Sequence, residues 1–203
     1  MPPERVVEIA TPHGTARAHV RAARGSSAAL VLGHGAGGGV SAPDLAAACR
    51  AALERGLAVA LVEQPYRVAG RRSPAPAQQL DTAWEAVVAH LREHELAGRP
   101  LVAGGRSSGA RVACRTARAT GATAVLCLAF PLHPPGRPAV SRLAELDAAG
   151  VPTLVVQGER DAFGRPPEGP HRSVVVVRGD HALKADPAAV EQAVGAWLRE
   201  VAR

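Results

Sequence analysis

Short, uninterrupted runs of Val, Leu and Ala recur along this chain, separated by longer stretches of amphipathic character. The runs fall at residues 28–32, 57–62, 100–103, 123–128, 151–157 and 173–178, and the intervening segments at 41 or 43–55, 77–94, 107–119, 141–149 and 187–202 carry helical periodicity. A strand that is apolar at every position is buried on both faces, whereas a strand with one wet face alternates. The pattern therefore predicts a mostly parallel sheet covered by helices on both sides, a three-layer α/β architecture. Two further strands, 5–9 and 16–21, open the chain around the turn-forming Thr11-Pro12-His13-Gly14. The Pro-interrupted stretch through Ser73-Pro74-Ala75-Pro76 and the Pro/Gly-rich segments 131–138 and 164–170 are of loop length. With neither a linker nor a repeat, residues 1–203 read as a single domain, a length that suffices for one sizeable core.

Composition removes several classes of function. Aromatic residues make up only 2% of the chain, so the core must be built from Ala, Val and Leu, and base stacking has little to work with. The net charge is +6, but the charges are scattered and form no block, and of the 24 basic residues only Lys184 is a lysine. Neither a nucleic-acid partner nor a membrane surface is expected. Cys49, Cys114 and Cys127 are odd in number, lack C-x-x-C spacing and lie in apolar segments, which reads as free thiols in a reducing compartment. No window approaches 18 consecutive apolar residues and the N-terminus lacks a signal-peptide pattern, so a cytoplasmic protein is expected.

The chemistry concentrates at Gly105-Arg106-Ser107-Ser108-Gly109, a G-x-S-x-G match between a strand and a helix. In such a strand-turn-helix the serine takes strained backbone angles and its neighbours two residues away must be small. That selects Ser107 as nucleophile, because shifting the register to Ser108 would place Arg106 and Ala110 at the flanks. A serine hydroxyl needs a base, and the base needs an orienting acid, in the chain order Ser, acid, His. Asp161, four residues past Gln157, and His181, three past Arg178, stand where loops leave strand ends, with Glu159 as rival acid. His90 and His94 share a helix face but lack a third ligand, so no metal site is expected.

A tetrahedral intermediate also requires backbone donors for its oxyanion. The Ser108 amide at the helix start is one candidate, and the Ala36 amide in His34-Gly35-Ala36-Gly37, an H-G-G-G-like loop after the strand 28–32, is the second. The same glycines could cradle a phosphate, but no G-K-[ST] follows, and a dinucleotide reading rests only on Glu63 at the end of the next strand.

Taken together, Gly33-His34-Gly35-Ala36-Gly37-Gly38, Glu63-Gln64-Pro65-Tyr66 with Gly70-Arg71-Arg72, Gly104-Gly105-Arg106-Ser107-Ser108-Gly109-Ala110-Arg111, Phe130-Pro131-Leu132-His133-Pro134-Pro135-Gly136, Gln157-Gly158-Glu159-Arg160-Asp161 and Asp180-His181-Ala182-Leu183-Lys184 resemble the compact, lidless α/β-hydrolases related to dienelactone hydrolase. Within these, the resemblance is greatest to the branch of testis-expressed and chromatin-complex (NSL) hydrolase-like proteins. It spans nearly the whole chain from Ala28 and implies a three-layer α/β-hydrolase fold with no cap domain, Ser107, Asp161 and His181 as triad, and no cofactor. Dienelactone hydrolase itself uses a cysteine nucleophile, so its reaction does not carry over to Ser107.

Two classes of function follow. One is a serine hydrolase acting on a small or exposed ester or thioester; the other is a catalytically silent scaffold for protein contacts, for which three filled triad positions have no physical need. His34 and Gly35 belong to the expected oxyanion loop. Tyr66, Arg71 and Arg72 follow the strand 57–62, and Arg106 lies within the turn. These either face the site and select an anionic substrate, or bond loop carbonyls and acids; both readings stay open. Only the 22 residues from Ala129 to Gly150 separate the strand after the turn helix from the strand before the acid, too few for a cap.

Overall fold

The computed structural model describes residues 2–23 and 25–202. Among them eight strands form one sheet in the order β1 (Arg5–Thr11), β2 (Gly14–Arg21), β4 (Ala58–Glu63), β3 (Ala29–Gly33), β5 (Leu101–Arg106), β6 (Ala124–Leu128), β7 (Thr153–Gly158) and β8 (Arg172–Val177). The pairs β1/β2 and β2/β4 are antiparallel and the remaining pairs parallel. Six helices accompany them: α1 (Pro43–Glu54), α2 (Pro65–Val68), α3 (Ala77–Glu93), α4 (Ser108–Thr120), α5 (Leu143–Asp147) and α6 (Pro187–Val201).

Strand periodicity sorts the apolar residues into two cores. Val31, Ala103, Val125, Cys127 and Val155 point to the face covered by α3, α4 and α5, while Leu30, Leu32, Val102, Leu126, Leu128, Leu154 and Val156 point to the face covered by α1 and α6. Both faces are dry, which is why these strands read as continuous apolar runs. Burying each Val or Leu contributes roughly 1.5–3 kcal/mol. With few aromatics to fill space, small residues let the layers approach closely. A Cβ on Gly33 would stand 3.3 Å from both Gly109 Cα and the buried Trp84 ring.

The structure departs from the sequence reading in three places that matter for the site. Strand β5 continues through Gly104 and Gly105 to Arg106, where the apolar run suggested an end at Ala103. These glycines pair with Leu32 and Gly33 on one side and with Leu126 and Cys127 on the other. A Cβ on Gly105 would lie 2.6 Å from Gly33 O, so this part of the strand can only be glycine. The segment after β4, read as loop, begins with the single turn α2, where Pro65 at the first helical position supplies a preset φ. Between β6 and β7 the chain carries only α5, shorter than the 141–149 read from sequence, so no cap is built there.

Candidate active site

The parallel strands present their C-terminal ends to one edge of the sheet, where the chain makes its least regular turns. Among the described residues, three non-glycine residues have positive φ: Ser107 after β5 (φ 52°), Ala129 after β6 (φ 50°) and Leu183 in the loop after β8 (φ 51°). Such angles cost on the order of 1–3 kcal/mol each and persist where surrounding contacts over-determine them. At Ser107 those contacts are its amide donating to Leu128 O at 2.9 Å and its carbonyl accepting from Arg111 N at 3.2 Å. A Cβ on Gly109 would collide with the Gly33 carbonyl, so both flanking glycines are required by the close passage of β3.

This turn lifts Ser107 Oγ to 2.9 Å from His181 Nε2, and His181 Nδ1 lies 2.8 Å from Asp161 Oδ2. A carboxylate only accepts, so Nδ1 carries the imidazole proton and Nε2 is left to accept from the serine hydroxyl. Asp161 is fixed from three sides: Oδ2 accepts from His181 and, at 2.7 Å, from Gln157 Nε2, while Oδ1 accepts from Phe163 N at 2.8 Å. Its side chain is fully buried, and that of His181 is 18% exposed. The Phe163 ring meets the imidazole edge-on with centroids 4.5 Å apart. Glu159, the rival acid, is exposed, and among the described residues its carboxylate pairs with Arg160 alone, at 3.9 Å.

The loop after β3 closes the other side. Gln64 N–H donates to His34 Nε2 at 3.1 Å, so His34 Nδ1 holds the proton it donates to Gly35 O at 2.8 Å. Burial pushes the His34 pKa below the usual histidine range, which suits this neutral, doubly bonded ring. Tyr66 Oη donates to Ala36 O at 2.9 Å and its ring packs edge-on to His34. Ala36 and Ser108 are half-buried residues, and their amides have no acceptor among the described residues.

Several of the residues expected to face a substrate are engaged by the protein itself. The Tyr66 hydroxyl and the His34 ring are spent on holding the loop. Arg106 follows the second of its two readings: Nη2 donates to His181 O at 3.0 Å and Nε lies 3.2 Å from the buried Asp44. Arg72 is exposed and, with Tyr66, Arg71 and Ser73, lines a hollow of about 530 Å³ beside α2. Sequence reasoning passed over Gln157, Phe163 and Asp44. Gln157 had a readable signal, being the polar residue that ends an otherwise apolar strand; the position of Phe163 over the imidazole depends on loop geometry and had none.

None of the curated proteins matches the chain. Among solved structures, an alpha-beta serine hydrolase homologue from Coxiella burnetii is similar with a TM-score of 0.78 at 17% identity, over 98% of both chains. A serine hydrolase without a lid from Xanthomonas campestris gives 0.78 at 18% identity, over 97% of this chain and 94% of that one. A dienelactone hydrolase from Anabaena variabilis gives 0.77 at 18% identity, over 100% and 99%. At such identities the likeness is one of fold. The sequence model of the alpha/beta hydrolase domain matches residues 26–193, most of the chain, and with the sheet order and strand-turn-helix described above this protein belongs to the α/β-hydrolase family.

Proposed function

We propose that the protein is a serine hydrolase of small or solvent-exposed esters or thioesters, working through Ser107, His181 and Asp161. The observation that carries this reading is the continuous hydrogen-bonded line from Ser107 Oγ through the imidazole to a buried carboxylate, at 2.9 and 2.8 Å. His181 Nε2 takes the hydroxyl proton as Oγ attacks the acyl carbon, and Asp161 stabilises the imidazolium. The Ala36 and Ser108 amides receive the oxyanion. Collapse breaks the acyl–oxygen bond of an ester or the acyl–sulfur bond of a thioester, Nε2 gives its proton to the leaving alcohol or thiol, and a water activated by the same nitrogen clears the acyl-enzyme.

The finer assignments belong to the same proposal. We place the chain nearest the testis-expressed and NSL hydrolase-like branch on its motifs, and in the cytoplasm on its three free, buried thiols. No described helix is long and apolar enough to cross a membrane. Residues 1–203 act as one catalytic domain on a small-molecule substrate, without nucleic acid or cofactor. With p-nitrophenyl acetate, Ser107→Ala is expected to abolish turnover, while Ser108→Ala keeps most of it because only the Ser108 amide is used. Equal loss in both variants would contradict the assignment.

A further inference from the structure

Asp44 takes no part in the steps above, yet it is a carboxylate with 0% side-chain exposure. It sits in the first turn of α1, where Oδ1 accepts from Leu45 N at 2.9 Å. Its Oδ2 faces Arg106 Nε at 3.2 Å, an ion-pair approach without hydrogen-bond alignment. Burial pushes the Asp44 pKa up, and Arg106 opposes the shift. A buried ion pair of this kind adds little stability, because desolvation cancels most of the attraction, and an apolar pair of similar volume often does as well or better. Stability therefore does not explain why the pair is there.

Its geometry gives another reason. Arg106 immediately precedes Ser107, and its guanidinium reaches polar groups on two segments distant in sequence while packing beside a third. Nε meets Asp44 on α1, Nη2 donates to His181 O at 3.0 Å, and Nη1 lies 2.7 Å from where a Cβ on Gly35 would stand. Asp161 restrains only the ring of His181. The backbone bearing that ring belongs to a loop with unusual angles at Gly179 (φ 126°) and Leu183 (φ 51°). The bond from Arg106 is what pins its carbonyl.

We propose that Arg106, anchored on Asp44, is a positioning residue that holds the His181 backbone at a fixed distance from Ser107. With Asp44 beside Nε and Nη2 spent on His181 O, its role is positioning and not reception of a substrate anion. A lysine cannot reproduce the fork, since it offers one point of contact. The role rests on the proposed Ser107–His181–Asp161 chemistry.

Two esters separate the possibilities: neutral p-nitrophenyl acetate and the carboxylate-bearing mono-p-nitrophenyl succinate, with enzyme concentration set by active-site titration. Arg106→Gln and Arg106→Lys are expected to lower kcat on both esters by the same factor, on the order of 10–100-fold as for an ångström-scale misplacement, with KM nearly unchanged. The paired variant Asp44→Leu with Arg106→Met is expected to keep or raise Tm while losing kcat to the same extent. A KM increase confined to the succinate ester would make Arg106 an anion receptor and overturn the proposal. So would unchanged kcat in the folded pair, or a pair that fails to fold. Wild-type protein that hydrolyses neither ester would bring down the catalytic reading itself, whereas active wild type with fully active variants removes the positioning role alone.

Discussion

At the scale of single residues, the site is fixed by what will not tolerate a side chain as much as by what carries chemistry. Gly105 and Gly109 stand where a Cβ would meet the backbone of β3 and of the turn itself, contacts that no rotamer change relieves. Gly105→Ala is expected to cost about 1–3 kcal/mol, lowering Tm by several degrees, and to reduce kcat by displacing Ser107; thermal unfolding and ester turnover measure both. His181→Ala should lower kcat about 10³-fold or more and Asp161→Asn nearly as much, because each removes part of the proposed proton-transfer unit, while Glu159→Gln should be mild. A crippled Glu159→Gln beside an active Asp161→Asn would reverse the choice of acid. Glycine spacing made Ser107 legible in the sequence, since only one register gives small flanks. The choice between Asp161 and Glu159 was open there because both lie in the loop after one strand, and only the fold of residues 158–164 turns one carboxylate inward. The destination of Arg106 was equally hidden, since Asp44 and His181 are distant in sequence.

At the scale of elements, periodicity located the strands and most of the helices, and it assigned side chains to faces. Sheet order was beyond it, because pairing β4 with both β2 and β3 is decided by how crossover connections pack, not by any local run. The ends of β5 and the turn α2 were missed where glycine and proline, read as breakers, serve a strand squeezed between neighbours and a helix start. Helices α3, α4 and α5 are tied together by charge. Arg111 grips Glu145 with bonds of 2.8 and 2.7 Å, and Arg115 joins Glu145 at 3.0 Å and Asp81 at 2.8 and 2.6 Å. Burial alone would push the Glu145 pKa up, but Arg111 and Arg115 outweigh it and hold the carboxyl below its ordinary value. A depressed carboxylate contributes stability above its unfolded pKa and loses that contribution as pH falls through the folded one. Glu145→Gln is therefore expected to lower Tm at pH 7 by an amount that shrinks as the pH drops below about 4. A gap of constant size across that range would show that the network contributes nothing through charge.

At the scale of the whole molecule, the α/β-hydrolase sheet carries its site at one open edge. The 22 residues between Leu128 and Val151 form a loop and the five-residue α5, with no cap above Ser107. Without a cap there is nothing in this segment to bury a long acyl chain, so kcat/KM for p-nitrophenyl esters should be highest for acetate and butyrate and fall toward palmitate, with no jump at the micellar transition. A rise toward long chains would reveal an acyl tunnel. The central claim, that Ser107 becomes covalently acylated, is tested most directly by treating the protein with a fluorophosphonate and mapping the adduct by mass spectrometry. One phosphonyl group on the peptide containing Ser107, absent in Ser107→Ala and after His181→Ala strongly slowed, is the predicted result. An unlabelled protein that still hydrolyses esters, or an adduct that persists in Ser107→Ala, would contradict it.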